Sequence, residues 1–125
     1  MNGSIIITLN LREGSILLNE SVLLALDRPQ QVQLMINEKE KMLLLRACTV
    51  DDMQAVVLPE EHTVRFEISG RSLTRKIKRL TGWEDDRPRV CRGEYLPAHR
   101  AIRFSLENAV PVSLDEKGGF YGGGL

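Results

Sequence analysis

Gln31-Val32-Gln33-Leu34-Met35-Ile36-Asn37-Glu38-Lys39-Glu40-Lys41-Met42-Leu43-Leu44-Leu45-Arg46-Ala47 decides the fold class. Val32, Leu34 and Ile36 alternate with Gln31, Gln33 and Met35, which is the period of a half-buried strand. The polar stretch 37–41 has the composition of a hairpin loop, and residues 42–47 return as the partner strand. Upstream, Ile5, Ile7, Leu9 and Leu11 alternate with Ile6, Thr8 and Asn10, predicting another strand. Gly14 marks a turn into the apolar run Ser15-Ile16-Leu17-Leu18. Asn19 or Ser21 can then cap a short helix over 22–26, which ends before Pro29.

Downstream the pattern repeats. Residues 55–58 read as a strand stopped by Pro59, and Val64, Phe66 and Ile68 alternate with Arg65, Glu67 and Ser69. Gly70 breaks that strand, Ser72 can cap a second helix to about Leu80, and Gly82 suits its C-terminus. Residues 84–88 read as loop, and 90–95 with 102–106 as a last pair of strands. The helix starts Ser21-Val22 and Ser72-Leu73 lie 51 residues apart, as do Leu26 and Ile77. That spacing suggests two degenerate repeats, about 5–47 and 63–107. The expected fold is mainly β and barrel-like, with two short α-helices. It forms one compact domain over 1–112, followed by a flexible glycine-rich tail over 113–125.

The chain has 125 residues, 42% apolar and 27% charged, which fits an ordinary globular domain rather than a disordered one. No apolar run reaches the ~18 residues of a membrane helix. No basic stretch precedes the first apolar run, so no signal peptide is expected and the reading is cytoplasmic. Cys48 and Cys91 match no zinc-ligand spacing and read as small buried residues in a reducing compartment. His62 and His99 are isolated, and no nucleophile, metal or phosphate-loop motif occurs, so neither an enzyme nor a cofactor is expected.

Charge is the informative property. The 17 basic and 17 acidic side chains cancel over the whole chain. By segment they give −4 over 1–70, +6 over 71–103 and −2 over 104–125. Placed on a helix, Leu73, Ile77 and Leu80 fall within about 60° and face the core, while Arg71, Lys78, Arg75 and Arg79 gather within about 100° on the other side. Like charges at i,i+4 cost about 0.2–0.5 kcal/mol each. An external anion, most commonly a phosphate backbone, would offset that cost. Two other sources remain open. The helix dipole favours Lys78 and Arg79 near the C-terminus, and the acidic loop Glu84-Asp85-Asp86 could fold back onto the cations. Arg71, Arg75, Lys76, Lys78, Arg79, Arg87 and Arg89 are the candidate DNA contacts. Aromatic residues are only 5%, too few for single-strand stacking platforms, which favours duplex DNA. Trp83 reads as a core plug beneath the helix end.

The stretch Gly14-Ser15-Ile16-Leu17-Leu18-Asn19-Glu20-Ser21-Val22-Leu23-Leu24-Ala25-Leu26, then Pro29, Val32-Gln33-Leu34 and Met42-Leu43-Leu44-Leu45, resembles the AbrB/MraZ/SpoVT swapped-hairpin family. The resemblance covers about residues 5–47, and a tandem arrangement would extend it over 63–107. It implies a small barrel of interleaved hairpins, with repeats from two chains or from one. It also implies DNA binding through surface arginines, in transcription regulators or antitoxins, and a homodimer. The family's basic residue after the glycine is Ser15 here, its helix-starting proline is Asn19, and its Gly-Asp turn before the third strand is absent. A different expectation is a non-catalytic assembly module. In it, acidic and basic halves dock between chains, or the tail around Phe120-Tyr121 engages a protein partner.

Overall fold

The computed structural model describes residues 5–48, 56–58, 65–114 and 120–122. The chain is mainly β. Its strands are β1 (Ile6–Asn10), β2 (Ser15–Asn19), β3 (Gln31–Asn37), β4 (Met42–Cys48) and β5 (Val56–Val57) in the first part. They continue as β6 (Arg65–Ser69), β7 (Arg89–Leu96), β8 (Ala101–Ser105), β9 (Val110–Leu114) and β10 (Phe120–Gly122). Helix α1 (Glu20–Ala25) follows β2, and α2 (Arg71–Thr81) follows β6. The strands form one sheet in the order β5-β3-β4-β8-β7-β1-β2-β6, curled into a half-barrel, with β9 joined to β7 and β10 to β9. Every pairing is antiparallel.

The alternation sets the concave side. Ile7 and Leu9, Ile16 and Leu18, Leu43 and Leu45, and Ile102 and Phe104 are all buried there. Val22, Leu23 and Leu26 of the α1 region and Ile77 of α2 complete the same core.

Most of the pairing pattern is kept when β1, β2, β3 and β4 are exchanged with β5, β6, β7 and β8; pair β1–β2 is the exception, since its image β5–β6 is not formed among the described residues. Hairpin β3–β4 maps onto hairpin β7–β8, and pair β1–β7 maps onto β5–β3. Pairs β2–β6 and β4–β8 map onto themselves. In the hairpins the two copies stand 59 residues apart. Val32 matches Cys91, Leu43 matches Ile102 and Leu45 matches Phe104, and all six are fully buried. At the hairpin tips Lys41 matches Arg100, and both hold left-handed backbone, φ 55 and φ 45.

Two expectations about caps are corrected. Neither Asn19 nor Ser21 caps α1 with its side chain. The Asn19 side-chain amide donates to the Ile6 carbonyl (3.1 Å), and the Ser21 hydroxyl accepts from the Ile6 N–H (3.2 Å). Both therefore tie the helix start to β1, satisfying backbone groups of that strand. Ser72 lies inside α2, whose N-cap is Gly70. Gly82 does end α2, in left-handed geometry (φ 79) with its N–H bonded to the Lys78 carbonyl.

Of the glycine-rich tail over 113–125, residues 115–119 and 123–125 lie outside the described residues. Phe120–Gly122 pairs antiparallel with residues 112–114 of β9.

Candidate nucleic-acid interface

Because β2 and β6 run antiparallel and each leads directly into a helix, α1 and α2 leave the sheet at opposite ends. The turn between β1 and β2, the tip of hairpin β3–β4 and the loop 84–88 lie at the α2 end. Two contacts hold that arrangement. The Gly70 N–H donates to the Gly14 carbonyl at 2.8 Å, and Lys76 Nζ pairs with Glu38 Oε2 at 3.1 Å.

Helix α2 is held by few residues. Ile77 is fully buried, Thr74 is nearly so and donates its hydroxyl to the Arg71 carbonyl, and Leu73 and Trp83 pack against the core. Gly14, in left-handed backbone at φ 71, leaves room for the Arg71 stem, since a Cβ there would overlap Arg71 Cγ. The Gly14 turn and the Gly70 cap thus fix where Arg71 begins the helix.

The candidate cations separate into two groups. Lys78 pairs with Asp86, Lys76 with Glu38, and Arg87 with Asp85 at 3.5 Å. Arg89 also pairs with Asp85, at 3.3 Å, and lies 4.2 Å above the Trp83 ring. Asp85 accepts the Arg87 N–H at 2.9 Å, which with the Arg89 and Arg87 charges holds its carboxyl below the usual value. The acidic loop does fold back, and it engages Lys78, Arg87 and Arg89.

Arg71, Arg75 and Arg79 form the other group. All three are exposed, and none makes an ion pair among the described residues. They recur every four residues. At 1.5 Å rise per residue they span about 12 Å along the helix and drift about 80° around it. The dipole explanation reaches only the last turn and leaves Arg71 and Arg75 unaccounted for.

Arg89 occupies a place that periodicity alone misassigned. Its side chain is 7% exposed, so it is not a surface contact. Strand β7 begins at Arg89, and Arg89, Cys91 and Gly93 share the inward face by strand alternation. The buried Cys91 two residues later was the signal for this parity. The same parity turns Arg92 outward, where it is exposed on the sheet wall. Arg12, exposed in the Gly14 turn, was not singled out from the sequence, yet topology brings it to the α2 end. Two further arginines serve the fold. Arg103 pairs with Glu94 across the β7–β8 hairpin, and Arg100 donates to the Leu26 carbonyl at the end of α1 (3.1 Å).

No protein-family model, no curated protein and no solved structure matches this chain.

Among the described residues, no helix is long and apolar enough to cross a membrane. His99 sits exposed at the tip of hairpin β7–β8, and His62 lies outside the described residues.

Proposed function

We propose that this protein binds duplex DNA, as a cytoplasmic transcription regulator or antitoxin-like protein, through the arginine face of α2. One observation carries the reading. The fold neutralises Lys76, Lys78, Arg87 and Arg89 with its own carboxylates but leaves Arg71, Arg75 and Arg79 exposed and unpaired among the described residues. Like charges at i,i+4 are retained at a cost unless something outside the chain offsets it. Arginine can bond a phosphate with two donors at once and suits a regular array of phosphates. Affinity would be mainly electrostatic, with any base reading left to one or two arginines. As the homodimer that the family resemblance implies, the protein would present two such faces.

The test is fluorescence anisotropy on a mixed-sequence duplex at two salt concentrations. Binding should weaken steeply as salt rises, since each neutralised phosphate releases counterions. The double variant Arg75→Glu, Arg79→Glu should lose at least tenfold in affinity. No binding at low salt, or unchanged binding by the double variant, would overturn the reading.

A further inference from the structure

We infer that the DNA-binding surface is confined to one end of the half-barrel, so that each chain engages a duplex through α2 alone and offers nothing equivalent at its α1 end. This rests on the proposed DNA binding and specifies which of two topologically equivalent ends performs it.

The inference follows from the internal exchange of the two halves. Helices α1 and α2 occupy matched places, 51 residues apart, at opposite ends of the strands. Leu26 and Ile77 fill matched buried positions, as do Leu23 and Thr74. The match can be carried to the outer face. At the same 51-residue offset Arg71 and Arg75 correspond to Glu20 and Leu24 on α1, while Arg79 corresponds to Arg28, which lies beyond the end of α1 in left-handed backbone (φ 43). Only Arg28 is cationic, and its guanidinium is paired with Glu20 at 3.2 Å. Leu24 stands 56% exposed where α2 carries Arg75. The outer face of α2 thus carries cations with no ion pair among the described residues, where α1 carries an acid and an apolar side chain and the chain just beyond it a neutralised cation.

A symmetric binder would read two matching half-sites through its two ends. Among the described residues this chain presents one stripe of three arginines, so a single chain should neutralise about three phosphates. The slope of log K against log salt should then be about −3 per chain, from roughly 0.9 per phosphate.

Anisotropy titrations of the full chain on a fluorescein-labelled 16-base-pair duplex, with the complex mass measured by light scattering, test this. Arg28→Glu and Leu24→Glu at the α1 end should leave affinity within twofold, whereas Arg75→Glu alone should lower it several-fold and flatten the salt slope by about one or more. The wild type should hold no more than one duplex per chain. The graft Glu20→Arg, Leu24→Arg places two arginines on α1 and releases Arg28 from Glu20, and should bring a second duplex to each chain, with a thermal melt confirming that it folds. Equal losses from the α1 and α2 variants, or two duplexes per wild-type chain, would overturn the inference while leaving DNA binding intact. Absence of any binding by the wild type overturns both.

Discussion

The carbonyls of Lys41 and Arg100 accept matched hydrogen bonds across the sheet: the Ala47 N–H donates to Arg100 and the Leu106 N–H donates to Lys41, both at 3.0 Å. Donors and acceptors alike are 59 residues apart, so one bond becomes the other when the hairpins are exchanged. Each hairpin tip is thereby anchored to the opposite hairpin through a residue in left-handed backbone.

That backbone costs a non-glycine residue about 1–2 kcal/mol. Lys41→Gly should therefore stabilise the fold, by about 0.5–1 kcal/mol once the looser unfolded chain is counted. Arg100→Gly gains the same relief but loses the charged bond to the Leu26 carbonyl, worth about 1.5 kcal/mol. Thermal melts should show a rise of a few degrees for Lys41→Gly and none for Arg100→Gly. A rise of equal size in both would show that the Leu26 contact contributes nothing.

The hairpins also exchange volume. Leu34 faces Leu45 across β3–β4, and the matched pair across β7–β8 is Gly93 facing Phe104. A Cβ at Gly93 would come within 2.5 Å of both Ile102 and Phe104. Gly93→Ala should destabilise by about 1–3 kcal/mol through overpacking. Phe104→Leu, which restores the Leu-sized partner of the other hairpin, should recover part of that loss in the double variant. Strictly additive denaturation midpoints would refute the coupling.

Stability and binding should separate between Arg89 and Arg79. Arg89→Met removes a buried guanidinium from Asp85 and the Trp83 ring and should cost about 1–3 kcal/mol, with DNA affinity unchanged. Arg79→Gln, on the exposed face, should shift stability by less than about 0.5 kcal/mol while lowering affinity. Loss of affinity in Arg89→Met without loss of stability would contradict its placement inside the fold.

Burial pushes the Cys91 thiol up to about 11 from its usual 9.0. The folded state therefore holds the proton more tightly than the unfolded chain. This contribution to stability is complete below pH 9 and is lost as pH rises toward 11. Cys91 should resist iodoacetamide at pH 8 in the folded protein and react on unfolding. The alkaline fall in melting temperature should be smaller in Cys91→Ala than in the parent. Peptide mapping of the alkylated folded protein would expose an accessible Cys91 directly.

Much of the scaffold was legible in the sequence because strand alternation and helix punctuation are local signals. The hairpin of β3 and β4, the strands around Phe66 and Ile102, and the Gly82 stop all follow from them. What the sequence hid depends on partners distant in the chain. Asn19 and Ser21 carry every mark of caps, yet Ile6 on the neighbouring strand takes both side chains. Arg89 reads as a loop cation until the start of β7 fixes its parity with Cys91. The 51-residue helix spacing is visible, but the 59-residue hairpin spacing preserves burial and backbone geometry rather than residue identity. The α2 face could be drawn on a helical wheel. That its three arginines pair with no carboxylate among the described residues, while their neighbours do, required the folded loop 84–88 and the tip of hairpin β3–β4.

The exchange of halves has a consequence for behaviour on dilution. Where interleaved hairpins come from two molecules, the sheet exists only as long as the molecules remain associated, and it is lost at low concentration. Here both hairpins belong to one polypeptide, so their effective concentration is fixed by the connection between them. Assembly of the sheet is therefore a unimolecular event that does not wait on a second molecule. The covalent link also frees each half to change alone, because a substitution in one helix is not copied to the other. A helix faced with three arginines at one end and a helix without such a face at the other is the kind of difference that only such a chain can accumulate.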